Sequence, residues 1–244
     1  MKTVMITGCN RGIGLMLLKR FAKEGYNVIA HTRNRKDVWE EQCRTIEELY
    51  HITIYKVYFD LEKKDEVESG IQDVIDMNIP IDVLINNAGI LISKPLMFLT
   101  YDDLERIFMV NYFSLTMITK GVASIMIRQP YGNIINISSC MGESHQPGGA
   151  CYDASKAALN QFTRSIAQEL APFNIRVNAV AGGIINSDMI TGLDENGREK
   201  MIKATALKRI AETDEIANVV FFLASDQASY LTGAIISVDG GIIV

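Results

Sequence analysis

What most constrains this chain is an alternation of short, almost continuous apolar runs with longer amphipathic stretches of helical period. The runs are strand-sized: Thr3 to Ile6, Asn27 to His31, Thr53 to Phe59, Ile81 to Ile85, Asn133 to Ile137, Asn174 to Val180 and Ala234 to Val238. A strand that is apolar on both faces needs cover on both faces, and a helix between consecutive strands joins them as parallel neighbours. The pattern therefore predicts an α/β architecture, doubly wound, with a parallel sheet and helices on both of its faces. The intervening helices show the complementary period. Ile13, Leu17, Leu18 and Phe21 share one face before Gly25, and Val67, Ile71, Val74 and Ile75 share another. Further helices are expected over Lys36 to Tyr50, Tyr101 to Arg128, Ala150 to Leu170 and Thr213 to Ala224.

The 244 residues suit one sizeable domain, residues 1–244, with no internal repeat or linker. Between Ala181 and about Glu199 the pattern dissolves into glycines and polar residues, which predicts a lid or substrate loop over about 182–200. With 24 basic and 29 acidic residues the net charge is -5, which argues against nucleic acid as a partner. No apolar run approaches the roughly 20 residues that span a bilayer, so no membrane partner is expected. Met1 to Ile6 leads straight into a glycine loop, leaving no room for a signal peptide, and the expected location is cytoplasmic. Cys9, Cys43, Cys140 and Cys151 show no paired spacing, and His31, His51 and His145 no ligand spacing. No metal site is expected.

Chemistry-bearing residues fall at the carboxyl ends of the expected strands. After the first comes Thr7-Gly8-Cys9-Asn10-Arg11-Gly12-Ile13-Gly14, a TGxxxGxG variant of the dinucleotide fingerprint, in which glycines let backbone approach a pyrophosphate at a helix N-terminus. The second strand ends in Thr32 and Arg33 rather than an acidic residue, and Arg11 lies in the glycine loop. Basic residues suit the extra phosphate of NADP(H), which is favoured, with NAD(H) possible. Asp60-Leu61 ends the third strand, Asn86-Asn87-Ala88-Gly89 the fourth, and Ser138-Ser139 the fifth. Asn111 sits in an apolar helical setting and must be satisfied by backbone in a local bend or by a functional group. Tyr152 and Lys156, four apart, share a helix face. The ammonium favours the phenolate and moves a phenol with reference pKa of roughly 10 towards neutrality. Cys151, beside them, reads as small buried filler.

Together these residues resemble the short-chain dehydrogenase/reductase family over essentially the full length. The matching elements are Thr7 to Gly14, Asp60, Asn86 to Gly89, Asn111, Ser139, Tyr152 with Lys156, and Val238 to Gly241. Within the family the chain is most similar to the β-ketoacyl-acyl carrier protein reductases, sharing Phe222 to Asp226 and Tyr230 to Gly233. The resemblance implies a single Rossmann-type domain with a seven-stranded parallel sheet in the order 3-2-1-4-5-6-7. It implies Tyr152 as general acid, Lys156 as the residue that lowers its pKa and holds the nicotinamide ribose, Ser139 as a hydrogen-bond donor to the substrate oxygen, and Asn111 in a water-linked proton relay. The thirteen-residue interval to Tyr152 selects Ser139 over Ser138. The implied cofactor contacts are Gly8, Asn10, Arg11, Gly12, Ile13 and Gly14 in the loop, Thr32 and Arg33, Asp60 and Leu61, Asn87, Ala88 and Gly89, Tyr152 and Lys156, with Ile185 and Ser187.

The implied activity is NADPH-dependent reduction of a ketone to a secondary alcohol, with a 3-oxoacyl thioester as the best substrate. Oxidation of a free polyol, sugar or other small hydroxy compound is the alternative. An idle nucleotide-binding scaffold would be expected to have lost one of Ser139, Tyr152 and Lys156, all of which are present. Arg128 to Tyr131 and Ala171 to Asn174 make a thin basic patch, which weakens the case for a docked acyl carrier protein. Gly182-Gly183 replaces the family's Pro-Gly, removes a φ restraint and is expected to loosen the lid. Glu143, Ser144 and His145 read as solvated loop. The family's common homotetramer would form through the long tract holding Asn111, the Tyr152 helix and the last strand, with Ala154, Ala157, Ala158, Phe162 and Ile166 suited to close helix packing.

Overall fold

A computed structural model describes residues 1–187 and 195–242. Seven strands, β1 Thr3–Thr7, β2 Asn27–Thr32, β3 Ile54–Tyr58, β4 Val83–Asn86, β5 Gly132–Ser139, β6 Ile175–Gly182 and β7 Ile235–Val238, form one sheet in the order β3-β2-β1-β4-β5-β6-β7. Every pairing is parallel, and the order is the expected one.

Strand residues alternate between two hydrophobic layers, as a period of two requires. Val4, Ile6, Val28 and Ile85 face α1 (Gly12–Lys23), α2 (Asp37–Tyr50) and α8 (Thr213–Ala224), where they meet Leu17, Leu18, Phe21, Trp39, Ile216 and Val220. Met5, Ile29, Leu84 and Ile134 face the opposite layer, meeting Val67 and Val74 of α3 (Lys64–Asp76), Leu115, Ile118 and Val122 of α5 (Ser114–Arg128) and Leu159 of α6 (Ala150–Leu170). Strand order reverses between β1 and β4. Their carboxyl ends open the crevice in which doubly wound sheets bind ligands.

The tract Tyr101 to Arg128 is helical throughout but not one regular helix. α4 (Tyr101–Phe108), opened by a reciprocal Thr100–Asp103 capping box, passes through a π turn at Met109–Phe113 before α5 begins. By length and composition this tract could cross a membrane, with a mean hydropathy of 1.2, so the expectation of strand-sized apolar runs fails here. Half of that window is buried, and Leu115, Ile118, Val122 and Met126 lie in the core, which makes it a core helix.

The segment expected as a loop over 182–200 is shorter. Gly182 is the last residue of β6, and α7 spans Glu195–Ala204, while Asp188 and Gly192 lie outside the described residues. The second of the two glycines expected to loosen the lid is closely packed at the start of that segment. A Cβ on Gly183 would lie 2.6 Å from the Asp239 Cα, and the Gly183 N–H donates to Val238 O at 3.0 Å. Glycine is required there by the close approach of the segment after β6 to the segment after β7.

Candidate active site

The glycine loop is clamped to the sheet from both sides. Thr7 Oγ1 accepts the N–H groups of Asn87 and Ala88 at 2.9 and 3.0 Å, and Asn87 Nδ2 donates to Thr7 O and Gly8 O at 2.8 and 3.0 Å. These bonds tie the ends of β1 and β4 together. Gly14 packs so tightly under the loop that a Cβ would lie 2.1 Å from Gly8 O. His31 braces the loop from β2: its Nδ1 accepts the Gly8 N–H at 3.3 Å, which assigns the proton to Nε2 for donation to Phe59 O at 2.9 Å. Burial lowers the imidazole pKa to about 4, so it stays neutral.

The first turn of α1 opens from this loop with no side-chain cap and no acidic residue. Its leading N–H groups and the positive end of its dipole therefore meet a cleft of about 620 Å³, a donor set that fits a diphosphate.

At one end of the cleft stands a charged cluster. Arg33 Nε pairs with Asp60 Oδ1 at 3.0 Å, and Arg33 Nη2 with Glu62 Oε1 at 2.6 Å. Arg106, from α4, reaches the same Glu62 oxygen at 3.0 Å. Burial pushes the Asp60 carboxyl up, but the Glu62 N–H and Arg33 outweigh it and hold the pKa below the usual range.

At the other end β5 delivers two serines that the structure separates. Both border the cleft, but Ser138 Oγ is committed to the Asn160 carboxamide, to which it donates at 2.5 Å, whereas Ser139 Oγ accepts the Met141 N–H at 3.2 Å. Tyr152 and Lys156 border the same wall from α6. Lys156 is only 4% exposed; its Nζ donates to Ile137 O at 2.9 Å and lies 5.8 Å from the Tyr152 ring centroid. Burial lowers the ammonium pKa to about 8. The Tyr152 phenol moves opposite to expectation. Burial raises its pKa and the Ser139 hydroxyl pulls it back only in part, because desolvation of the phenolate dominates.

Asn111 is fully buried in the π turn. Its carboxamide accepts the Ile90 N–H at 2.8 Å and donates to Ile90 O at 2.9 Å and Ser155 Oγ at 3.1 Å. The local bend thus answers the buried carboxamide, and the residue joins the loop after β4 to α6 from behind the cleft.

Every other candidate site residue borders the cleft except Thr32. Thr32, expected among the cofactor contacts, is buried outside the cleft lining, with its hydroxyl donated to Asn34 O at 3.2 Å. Cys151 is buried, as expected of filler, and Glu143 is surface-paired with Arg164 away from the cleft. Sequence reasoning missed His31, Glu62 and Arg106. Each carried one positional signal: His31 lies in the strand beside the glycine loop, Glu62 two residues past Asp60, and Arg106 one helical turn and a half before Asn111.

Fold and site together define a dinucleotide-dependent oxidoreductase acting on CH–OH groups. The family described as enoyl-(acyl carrier protein) reductase matches residues 8–243. The chain belongs to the short-chain dehydrogenase/reductase family. A 3-oxoacyl-[acyl-carrier-protein] reductase of Staphylococcus epidermidis is 38% identical over 240 residues, covering 98% of each chain. Among solved structures, a putative gluconate dehydrogenase from Agrobacterium tumefaciens superposes with a TM-score of 0.91 at 28% identity, covering 98% of this chain and 94% of that one. A blue fluorescent protein from a metagenomic library, in complex with NADPH, does so at 0.89 and 29%, covering 100% and 98%. The chain is an NAD(P)-dependent ketoreductase.

Proposed function

We propose that the protein reduces the ketone of a 3-oxoacyl thioester to a secondary alcohol, with NADPH as the preferred cofactor. The observation that carries this reading is the meeting of Ser139, Tyr152 and a desolvated Lys156 on one wall of the cleft that the glycine loop opens. Arg33 beyond β2 and Arg11 in the glycine loop support NADPH, as does the NADPH complex of a structural relative. The apolar run Ile90-Leu91-Ile92 along the cleft supports an acyl chain, and the 38% identical relative is named for that substrate class.

NADPH, when bound, supplies the hydride equivalent for the carbonyl carbon. Tyr152 gives its proton to the carbonyl oxygen, and burial, by holding its pKa up, keeps the phenol in the protonated form that a donor needs at neutral pH. Ser139 donates a hydrogen bond to the same oxygen, and the Lys156 ammonium stabilises the phenolate left behind. Asn111 holds Ile90 and Ser155 so that the two walls keep their spacing.

Steady-state turnover of acetoacetyl thioesters, carrier-bound and carrier-free, against a panel of free ketones and hydroxy acids tests the substrate. Preference for a thioester supports the reading, whereas faster oxidation of a gluconate-like hydroxy acid would overturn it in favour of the alternative that the gluconate dehydrogenase relative and the thin basic patch suggest. Tyr152→Phe is expected to lower kcat/KM by about 10²–10⁴-fold with the NADPH Kd little changed.

A further inference from the structure

The charged cluster at the end of the cleft beside β2 and β3 does something the family pattern did not require. Two guanidinium groups, Arg33 and Arg106, converge on a single carboxylate oxygen of Glu62, while Asp60 pairs with the Nε side of Arg33. Two cations are thus matched by two anions. The next cation along the chain, Lys63, is itself paired with Glu66, which also accepts the Asp60 N–H at 2.8 Å. A ribose phosphate arriving here meets a charge-balanced cluster, and a ribose hydroxyl meets the same one.

We propose that Glu62 is a specificity-determining residue that restrains discrimination between NADPH and NADH by competing with the 2′-phosphate for Arg33 and Arg106. This rests on the cofactor reading above. The physical basis is the difference in charge between the two ligands: a phosphate monoester carries about -1.5 to -2 at neutral pH, where NADH has a neutral hydroxyl. A carboxylate holding the same guanidinium groups repels the first and is nearly indifferent to the second. The contest is open because Arg33 is half exposed, so its pairs are solvent-screened and can exchange partners without disturbing the core. Arg33, Glu62 and Arg106 all border the cleft, whereas Lys63 and Glu66 do not.

The test is a graded series, Glu62→Gln and Glu62→Lys, titrated with NADPH and with NADH by calorimetry, with thermal melting as the check on folding. The NADPH Kd is expected to tighten about 3- to 10-fold in Glu62→Gln and further in Glu62→Lys, while the NADH Kd moves less than about 2-fold. Equal shifts for both cofactors, or weaker NADPH binding in a folded variant, would overturn the proposal, the latter by making Glu62 a positioning residue for Arg33. Arg33→Ala separates the two readings. If it weakens NADPH but not NADH while the Glu62 series shows no differential, the NADPH reading stands and the role of Glu62 falls. If it leaves NADPH binding unchanged, the cofactor reading itself fails.

Discussion

His31 shows how one buried side chain couples the glycine loop to pH. Its pKa of about 4 lies below the reference 6.5, so the unfolded chain binds the extra proton in the window between them. Stability from the neutral imidazole is complete above pH 6.5 and is lost as pH falls towards 4. By pH 4.5 the loss is on the order of 2 kcal/mol. His31→Gln keeps a donor for Phe59 and an acceptor for Gly8, and is expected to flatten the fall in urea-unfolding free energy between pH 7 and 4.5; an unchanged slope would show that other groups carry it. The residues that motifs name, Ser139, Tyr152, Lys156 and the glycines, were legible because each occupies a fixed interval in the chain. His31 was not, because its role depends on β2 lying beside β1. The direction of the Tyr152 shift was misread for a related reason: a four-residue interval reports that a lysine is near in the chain, but not that burial raises the phenol's pKa.

Among the elements, the strands were legible in type and order, and their ends less so. β5 and β6 each run to the residues that shape the site, Ser139 and Gly182, because Ser139 pairs with Gly182 in register and Gly182 with Val238. Composition at a strand end reads as loop, whereas the neighbouring strand supplies the partners that extend it. The same neighbour explains Gly182-Gly183. A Cβ on Gly182 would meet the mobile end of a side chain, Ile185 Cδ1, at 2.7 Å, but one on Gly183 would meet the Asp239 backbone at 2.6 Å. Gly183→Ala is therefore expected to cost about 1–3 kcal/mol and Gly182→Ala distinctly less. At about 2–4 °C per kcal/mol for a chain of this size, thermal unfolding resolves the two. Equal losses would argue that the β6–β7 junction yields freely and that the glycines matter for lid motion after all. The π turn at Met109–Phe113 was legible only as a buried Asn111 needing partners; that the helix widens to let the carboxamide reach Ile90 is a property of the fold.

At the scale of the whole molecule, a chain with both faces of its sheet covered still leaves large apolar side chains in solvent. Leu96, Met97, Phe98 and Tyr101 are each more than two-thirds exposed, and Phe113 and Met117 are partly so along the same tract. Apolar exposure concentrated in one stretch marks a contact surface. We propose that this tract, with the Tyr152 helix and the last strand, assembles a homotetramer of 27.1 kDa chains. The consequence reaches the site because Phe113 and Asn111 share one π turn: a neighbour pressing on the first would hold the second against Ile90 and Ser155. Phe113→Glu with Met117→Glu places charge on the exposed side of the tract and is expected to yield a smaller species by sedimentation velocity. Ketone reduction should fall with assembly while far-ultraviolet circular dichroism stays native. A monomeric wild-type protein at micromolar concentration would overturn the assembly, and a dissociated but fully active variant would show that Asn111 is held by its own chain alone.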